Sequence, residues 1–182
     1  LAAKFWNGKI NKISNDLFYA VDLIVDGLFG AGLARNVDGY LKDIIGKING
    51  SNIDCLSIDI PSGVDGNTGQ VRGVAIHANE TVTFFRKKPG HLLMPGRLLS
   101  GKLHLVDIGI DKSVLNKIKP NLAENKSRNW LEYIPHQKPD DHKYSRGTSV
   151  ILGGDDMPGA ARLAALAARR AGSGLATIVA NK

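Results

Sequence analysis

The fold class this sequence predicts is α/β, with a parallel sheet at its centre. Three observations carry the prediction. Short apolar runs alternate with a helical period, glycine loops follow the ends of those runs, and one run carries apolar residues on both parities. Residues 21–26, VDLIVD, form a first strand with an aspartate near each end. The glycine loop GLFGAGLARN follows. A helix is expected from Val37 to Ile48, because Leu41, Ile44, Ile45 and Ile48 fall on one face and Asn49-Gly50 ends it. The next run, IDCLSIDI, is expected to be a strand buried on both faces. PSGVDGNTG is a turn cluster, Thr81–Phe85 a strand, KKPGHLLMPG a loop, and Lys102–Ile110 another strand.

From Asp111 to about His142 the texture changes to Lys, Asn, Pro and Glu, read as a short helix and a linker. Trp130, Leu131, Tyr133 and Ile134 are a candidate docking patch within it. Order then returns as one βαβ unit. TSVILGG is a strand, Pro158–Ala171 a helix with Pro at its first position and Gly172 just past its end, and Leu175–Ala180 the next strand.

Composition narrows the function classes. Hydrophobic residues at 43% and charged residues at 23% are those of a globular protein, so disorder, collagen and coiled coil are excluded for the chain as a whole. No apolar run has the roughly 20 residues that span a bilayer, so no membrane partner is expected. The net charge of +7 is spread along the chain with no polybasic arm, which fits a small anionic ligand and gives no nucleic-acid partner. The single cysteine, Cys55, lies in a strand run and is expected to be an inert core thiol, which points to a cytoplasmic location. The chain begins at Leu1 without a signal peptide and closes on the apolar run LATIVANK, so a fragment of a longer protein is expected.

The candidate chemistry gathers at strand ends, where open α/β sheets bind ligands. Gly27, Gly30 and Gly32 do not make a dinucleotide fingerprint, because Arg35 occupies the third glycine position. They do make a turn whose backbone N–H groups can cradle phosphate, with Arg35 as a partner. Asp26 and Asp59 end two strands and are expected at one sheet edge, with Ser62 on the turn beyond. Carboxylate, hydroxyl and loop carbonyls form a hard-oxygen set, suited to potassium or magnesium or to proton transfer; capping of their own turns is the alternative role for both aspartates. Lys87, Lys88 and His91 flank Pro89-Gly90, where a lysine can bind phosphate or act as acid or base. Asp107 is expected inside its strand, needing a partner if buried. His77, His104, His136 and His142 show no metal spacing.

Taken in order, VDLIVDGLFGAGLAR, SIDIPSGVDG-x-TG, TVTFFRKKPGH and G-K-x-x-x-x-DIGI resemble the NAD(P)HX epimerase family, the YjeF N-terminal domain. The stretch from HKYSRG to GSGLATIVA resembles the start of the ADP-dependent NAD(P)HX dehydratase domain. The resemblance implies a Rossmann-like three-layer sandwich over 1–115, a linker over 116–140, and the first βαβ unit of a ribokinase-like domain over 141–182. It implies nicotinamide nucleotide repair: R and S hydrates of NADH and NADPH are interconverted by the first domain, and the S hydrate is dehydrated with ADP by the second. Carried over, Asp26 and Ser62 resemble potassium ligands. Gly30, Ala31, Gly32, Leu33, Ala34, Arg35 and Asn36 resemble the segment that binds the hydrate's phosphates. Asp59 resembles a substrate-binding acid/base residue, Lys88 a catalytic lysine, and Ala160 a hydrate-binding position of the second domain. Two positions depart from the family pattern: Ala31 stands where threonine is usual, and Asn67 where aspartate is. The family's N-N-G-G-D-G motif would precede residue 1. A homo-oligomer is compatible with all of this. The competing classes are a non-catalytic ligand-binding scaffold, against which the retained Asp26, Asp59 and Ser62 argue, and a sugar or vitamin kinase, for which there is no Walker motif.

Overall fold

The computed structural model describes residues 7–8, 21–136, 138–154 and 158–180. They fall into two compact units, Leu1–Lys119 and Pro120–Lys182. The first unit is a four-stranded parallel sheet with strands β1 (Leu23–Asp26), β2 (Asp54–Ile58), β3 (Glu80–Phe84) and β4 (Lys102–Val106), adjacent in that order. The α/β class read from the alternation therefore holds.

Helix α1 (Gly39–Gly50) joins β1 to β2. It starts two residues later than the periodicity predicts. Asp38 is still extended, and the Val37 N–H is spent on the Arg72 carbonyl at 2.9 Å, which ties the chain to another loop before it can coil. Ile44, Ile45 and Ile48 are buried on its inner face with Val37, Cys55, Ile76 and Ala78. Each such isoleucine is worth roughly 2 kcal/mol of transfer free energy. Asn49 then clamps the chain that follows β2: its side-chain N–H donates to the Ala75 carbonyl at 2.8 Å and its oxygen accepts the His77 N–H at 2.9 Å.

The β2–β3 crossover contains no helix. Residues 59–79 run as a folded loop whose Ile76 and Ala78 are buried with the α1 isoleucines, while its Ile60, Val64 and Ala75 form a second cluster with Ala31 and Leu99. Gly63 makes this possible. It sits at φ +95°, and a Cβ there would lie 1.9 Å from the Val74 carbonyl oxygen. Between β3 and β4 the chain forms a 3₁₀ turn, Pro89–His91, and a short helix α2 (Gly96–Leu99). After β4 comes α3 (Val114–Ile118).

The expectation that the β2 run is buried on both faces is corrected. Cys55 and Ser57 point into the core, but Ile58 is 43% exposed, as is Val25 at 55% on the neighbouring strand. Helix α1 and the crossover loop cover only the Cys55 side. Asp107 is corrected too: β4 ends at Val106, and exposed Asp107 accepts the Gly109 N–H at 2.9 Å in a turn.

Burial, and then the nearby Asp26 carboxylate, push the Cys55 thiol up from 9.0 to about 11. At any pH below that range the buried thiol therefore holds only about one-hundredth of the thiolate that an ordinary cysteine would. Native protein should react with a thiol reagent at least about 100-fold more slowly than the urea-unfolded chain, measured from the colour released at about pH 8.

In the second unit, strands β5 (Thr148–Leu152) and β6 (Leu175–Val179) pair in parallel through helix α4 (Pro158–Arg170). The expected βαβ unit is present, with Pro158 as first helical residue and Gly172 at φ +116° beyond the end. Ala161 is buried, and a Cβ at Gly153 would meet its methyl at 3.2 Å, so a small residue on each side sets the helix-to-strand approach. The Trp130–Ile134 patch is exposed: Trp130, Leu131, Tyr133 and Ile134 are 43, 54, 75 and 44% exposed. Among the described residues no helix is long and apolar enough to cross a membrane.

Candidate active site

Most of the first unit's buried polar residues, among them Asp26, Ser57, Ser62, Thr83 and His91, lie at or just beyond the carboxyl ends of β1, β2 and β3. Asp26 closes β1 and is 2% exposed. The β1–β2 register sets it beside Ser57, whose hydroxyl donates to Oδ2 at 2.8 Å. The same oxygen accepts the Ser62 N–H at 2.8 Å, while Oδ1 accepts the Ser62 hydroxyl at 2.5 Å and the Leu28 N–H at 3.3 Å. Asp26 thus caps its own loop, the alternative role weighed for it, and also meets Ser62. The Ser62 hydroxyl also accepts the Phe29 N–H at 2.9 Å and lies 3.3 Å from the Phe29 carbonyl.

Carboxylate, hydroxyl and carbonyl therefore converge as a hard-oxygen set with a single negative charge. Among the described residues no three His, Cys, Asp or Glu side chains gather as a metal cluster. One carboxylate among neutral oxygens suits a monovalent cation better than a divalent one, which takes more anionic ligands. The donors present fit potassium.

Asp59 follows β2 directly, at φ +71°, with the Ile60 N–H bonded back to the Ile58 carbonyl at 2.9 Å. This is a positive-φ γ-turn, a rare and strained one for a residue with a Cβ. Phe85 repeats it at the end of β3, at φ +61° with Arg86 N–H bonded to the Phe84 carbonyl at 2.6 Å. The Asp59 carboxylate does not cap its own turn. It forms an ion pair with the Lys88 ammonium and accepts the Thr83 hydroxyl at 3.1 Å; Lys88 also reaches Thr83 at 3.1 Å. Both charged side chains remain 26% exposed, so the pair opens to solvent.

His91 is 2% exposed. Its Nε2 is 2.7 Å from the Asp59 carbonyl and its Nδ1 accepts the Lys88 backbone N–H at 3.0 Å. Burial, against the opposing pull of the Asp59 carbonyl, holds the imidazole below its usual 6.5.

The glycine loop between β1 and α1 lines an open cleft of about 540 Å³ together with Leu28, Phe29, Leu33, Ala34 and Arg35. Gly30 and Gly32 have ordinary φ, and a Cβ on either would meet nothing within 4 Å. Neither conformation nor packing inside the chain requires glycine there, so the room they leave lies in the cleft. The loop does not run straight into the helix, because α1 starts only at Gly39. Any anion held there would bind loop N–H groups and Arg35, with the helix N-terminus set back. Asn36 is exposed on the same loop. The three site loops interlock. A Cβ at Gly66 would lie 2.9 Å from the Ala31 methyl, and Gly90 N–H donates to the Gly66 carbonyl at 2.8 Å. Asp65 pins the turn between them by pairing with Arg72, whose guanidinium, followed by the Thr68 and Asn67 N–H groups, holds its carboxyl well below the usual carboxylate range.

Of the residues expected from sequence, Asp26 meets Ser62 and Asp59 meets Lys88. Residues 30–36 line or adjoin the cleft. Ala160 lies in the other unit, exposed in the first turn of α4 beside the buried Ala161. Sequence reasoning passed over Ser57, Thr83 and the contacts of His91. The signal for Ser57 and Thr83 was available: small polar residues on the inward parity of strands that run into DIPSG and FRKKPG.

Known proteins similar to this chain point in one direction. Residues 2–90 match the family model described as YjeF-related protein N-terminus. Residues 2–90 are a YjeF-related N-terminal domain. The chain is 38% identical over 161 residues to the bifunctional NAD(P)H-hydrate repair enzyme Nnr of Thermofilum pendens, covering 86% of this chain and 30% of that protein. To the enzyme of the same name from Escherichia coli it is 37% identical over 164 residues, 88% of this chain and 31% of that one. To the NAD(P)H-hydrate epimerase of Weissella koreensis it is 37% identical over 126 residues, 69% of this chain and 56% of that one. The chain thus spans about a third of the bifunctional relatives and about half of the epimerase. Asp26, the glycine loop, Asp59, Ser62 and Lys88 all lie within the YjeF-related domain, and His91 follows it directly.

Proposed function

We propose that the first unit interconverts the R and S hydrates of NADH and NADPH, with Asp59 and Lys88 as the proton-transferring pair. The observation that carries this reading is the pair itself. The Asp59 carboxylate and the Lys88 ammonium share the Thr83 hydroxyl, with Asp59 on a strained positive-φ turn just past the end of β2. Interconverting the two faces of a hydrated ring requires a proton to be taken from one atom and given to another, and one base beside one acid supplies both. The substrate class is supported by the names of the relatives, NAD(P)H-hydrate repair enzyme and NAD(P)H-hydrate epimerase.

In this reading the cleft at Gly30–Asn36 receives the diphosphate, against loop N–H groups and the Arg35 guanidinium. Asp26, Ser62 and the Phe29 carbonyl hold potassium. The ion supplies fixed positive charge near the anionic substrate, and the residues bind, orient and move protons. In the same reading the second unit belongs to an ADP-dependent dehydratase, with Ala160 beside its hydrate; its parallel β5–α4–β6 unit supports that assignment.

The test is titration of the full-length protein with NADPH hydrate in potassium and in sodium, following R/S equilibration by chromatography. Saturable binding with faster equilibration is expected. No binding in either salt would overturn the reading in favour of a scaffold. A second measurement isolates the cleft. Gly32→Ala meets no neighbour, so stability should change by less than about 1 kcal/mol, while hydrate affinity falls about tenfold because the methyl occupies ligand space.

A further inference from the structure

One buried ring ties the two members of the Asp59–Lys88 pair together through their backbones. The partners of His91 have fixed roles. The Lys88 backbone N–H can only donate, so Nδ1 carries no proton. The Asp59 carbonyl can only accept, so Nε2 carries the hydrogen and donates. The neutral Nε2–H tautomer alone satisfies both, and its burial at 2% exposure is consistent with an uncharged ring.

The place where this ring acts is the strained one. Asp59 is bridged by the γ-turn bond from Ile60 to Ile58, and its own N–H is held by the Val82 carbonyl at 2.6 Å. The remaining backbone group of that turn is the Asp59 carbonyl, which would swing if the turn relaxed. His91 holds it, and a strained φ persists only where its surroundings over-determine it. Among the described residues, the charged groups that act on the imidazole are Lys88, Asp59 and Lys87.

We propose that His91 is a positioning residue: as the neutral Nε2–H tautomer it fixes the Asp59 carbonyl and the Lys88 amide on one ring, and so sets the Asp59 carboxylate against the Lys88 ammonium. The proposal rests on the reading of that pair as the proton-transferring groups.

Two replacements split the clamp. Asn places an amide oxygen near Nδ1 and keeps the Lys88 half; Gln places an amide nitrogen near Nε2 and keeps the Asp59 half. In the full-length protein, His91→Asn should lower kcat for hydrate epimerisation about 100-fold, as a misplacement of about 1 Å does, with KM changed less than about threefold. His91→Gln should recover kcat to within about fivefold of wild type at the same melting temperature as His91→Asn. Equal losses in both variants, or a rise in KM with kcat kept, would overturn the proposal.

A readout without activity keeps it separable from the functional reading. Nitrogen-15 spectra of histidine-labelled protein should show the Nε2–H tautomer between about pH 6 and pH 8, and the Ile60 amide resonance should move in His91→Asn but not in His91→Gln. A protonated or Nδ1–H ring, or no difference between the variants, sinks the clamp. Failure of the wild-type protein to epimerise, with these spectra as expected, sinks the functional reading alone.

Discussion

Asp59→Asn is expected to lower the rate of R/S equilibration by about 10²–10⁴-fold, the range removed with a general acid or base. The substitution keeps the shape of the side chain and the oxygen that accepts the Thr83 hydroxyl. It also suits the backbone, since asparagine tolerates positive φ at least as well as aspartate and Asp59 sits at φ +71°. The melting temperature should therefore stay within a few degrees. What is lost is the base and the charge that holds Lys88 in place. Because Asp59 acts on the reacting atoms, kcat and kcat/KM should fall together while hydrate affinity is largely kept. The measurement is equilibration of purified S hydrate, against a Thr83→Val variant that removes the shared hydroxyl and leaves both charges. A rate for Asp59→Asn within threefold of wild type would take Asp59 out of the chemistry.

The gathering of Asp26 with Ser62 was legible because both lie at the carboxyl ends of adjacent parallel strands, and the sheet rule places such residues at one edge. The Asp59–Lys88 pair was only half legible. Each residue stood out, but they are 29 positions apart, and their meeting depends on the β2–β3 register that sets Ile58 beside Val82 and so brings Asp59 to Thr83. No local spacing encodes a register between strands joined by a folded loop. The role of His91 was hidden for another reason. A histidine after Pro-Gly reads as a turn residue until its two nitrogens are seen to face two backbone groups of fixed polarity. The double burial expected for β2 failed because apolar residues on both parities allow a covered second face without supplying its cover.

Asp26→Ala is expected to destabilise the first unit by about 3 kcal/mol, a large fraction of the roughly 5–15 kcal/mol that holds a typical domain. The carboxylate accepts the Ser57 and Ser62 hydroxyls and the Ser62 and Leu28 N–H groups. The hydroxyls can rotate toward other acceptors, but the Ser62 N–H cannot, and Ser62 is fully buried. An orphaned donor there bears its whole desolvation penalty. Asp26→Asn should cost less, about 1–2 kcal/mol. Its amide nitrogen can face Ser62 Oγ, which then turns its proton toward the Phe29 carbonyl already 3.3 Å away. Ser57→Ala removes one donor and orphans nothing, so about 1 kcal/mol or less is expected. Urea midpoints with an unchanged m-value give the ranking. If Asp26 also holds potassium, the wild-type midpoint should rise in potassium over lithium at equal ionic strength, and the Asn variant should lose that difference along with its charge. Equal midpoints for Asp26→Ala and wild type would show that the three loops interlock without this carboxylate, leaving the Gly66 and Gly90 packing as what joins β1 to the turns beyond β2 and β3.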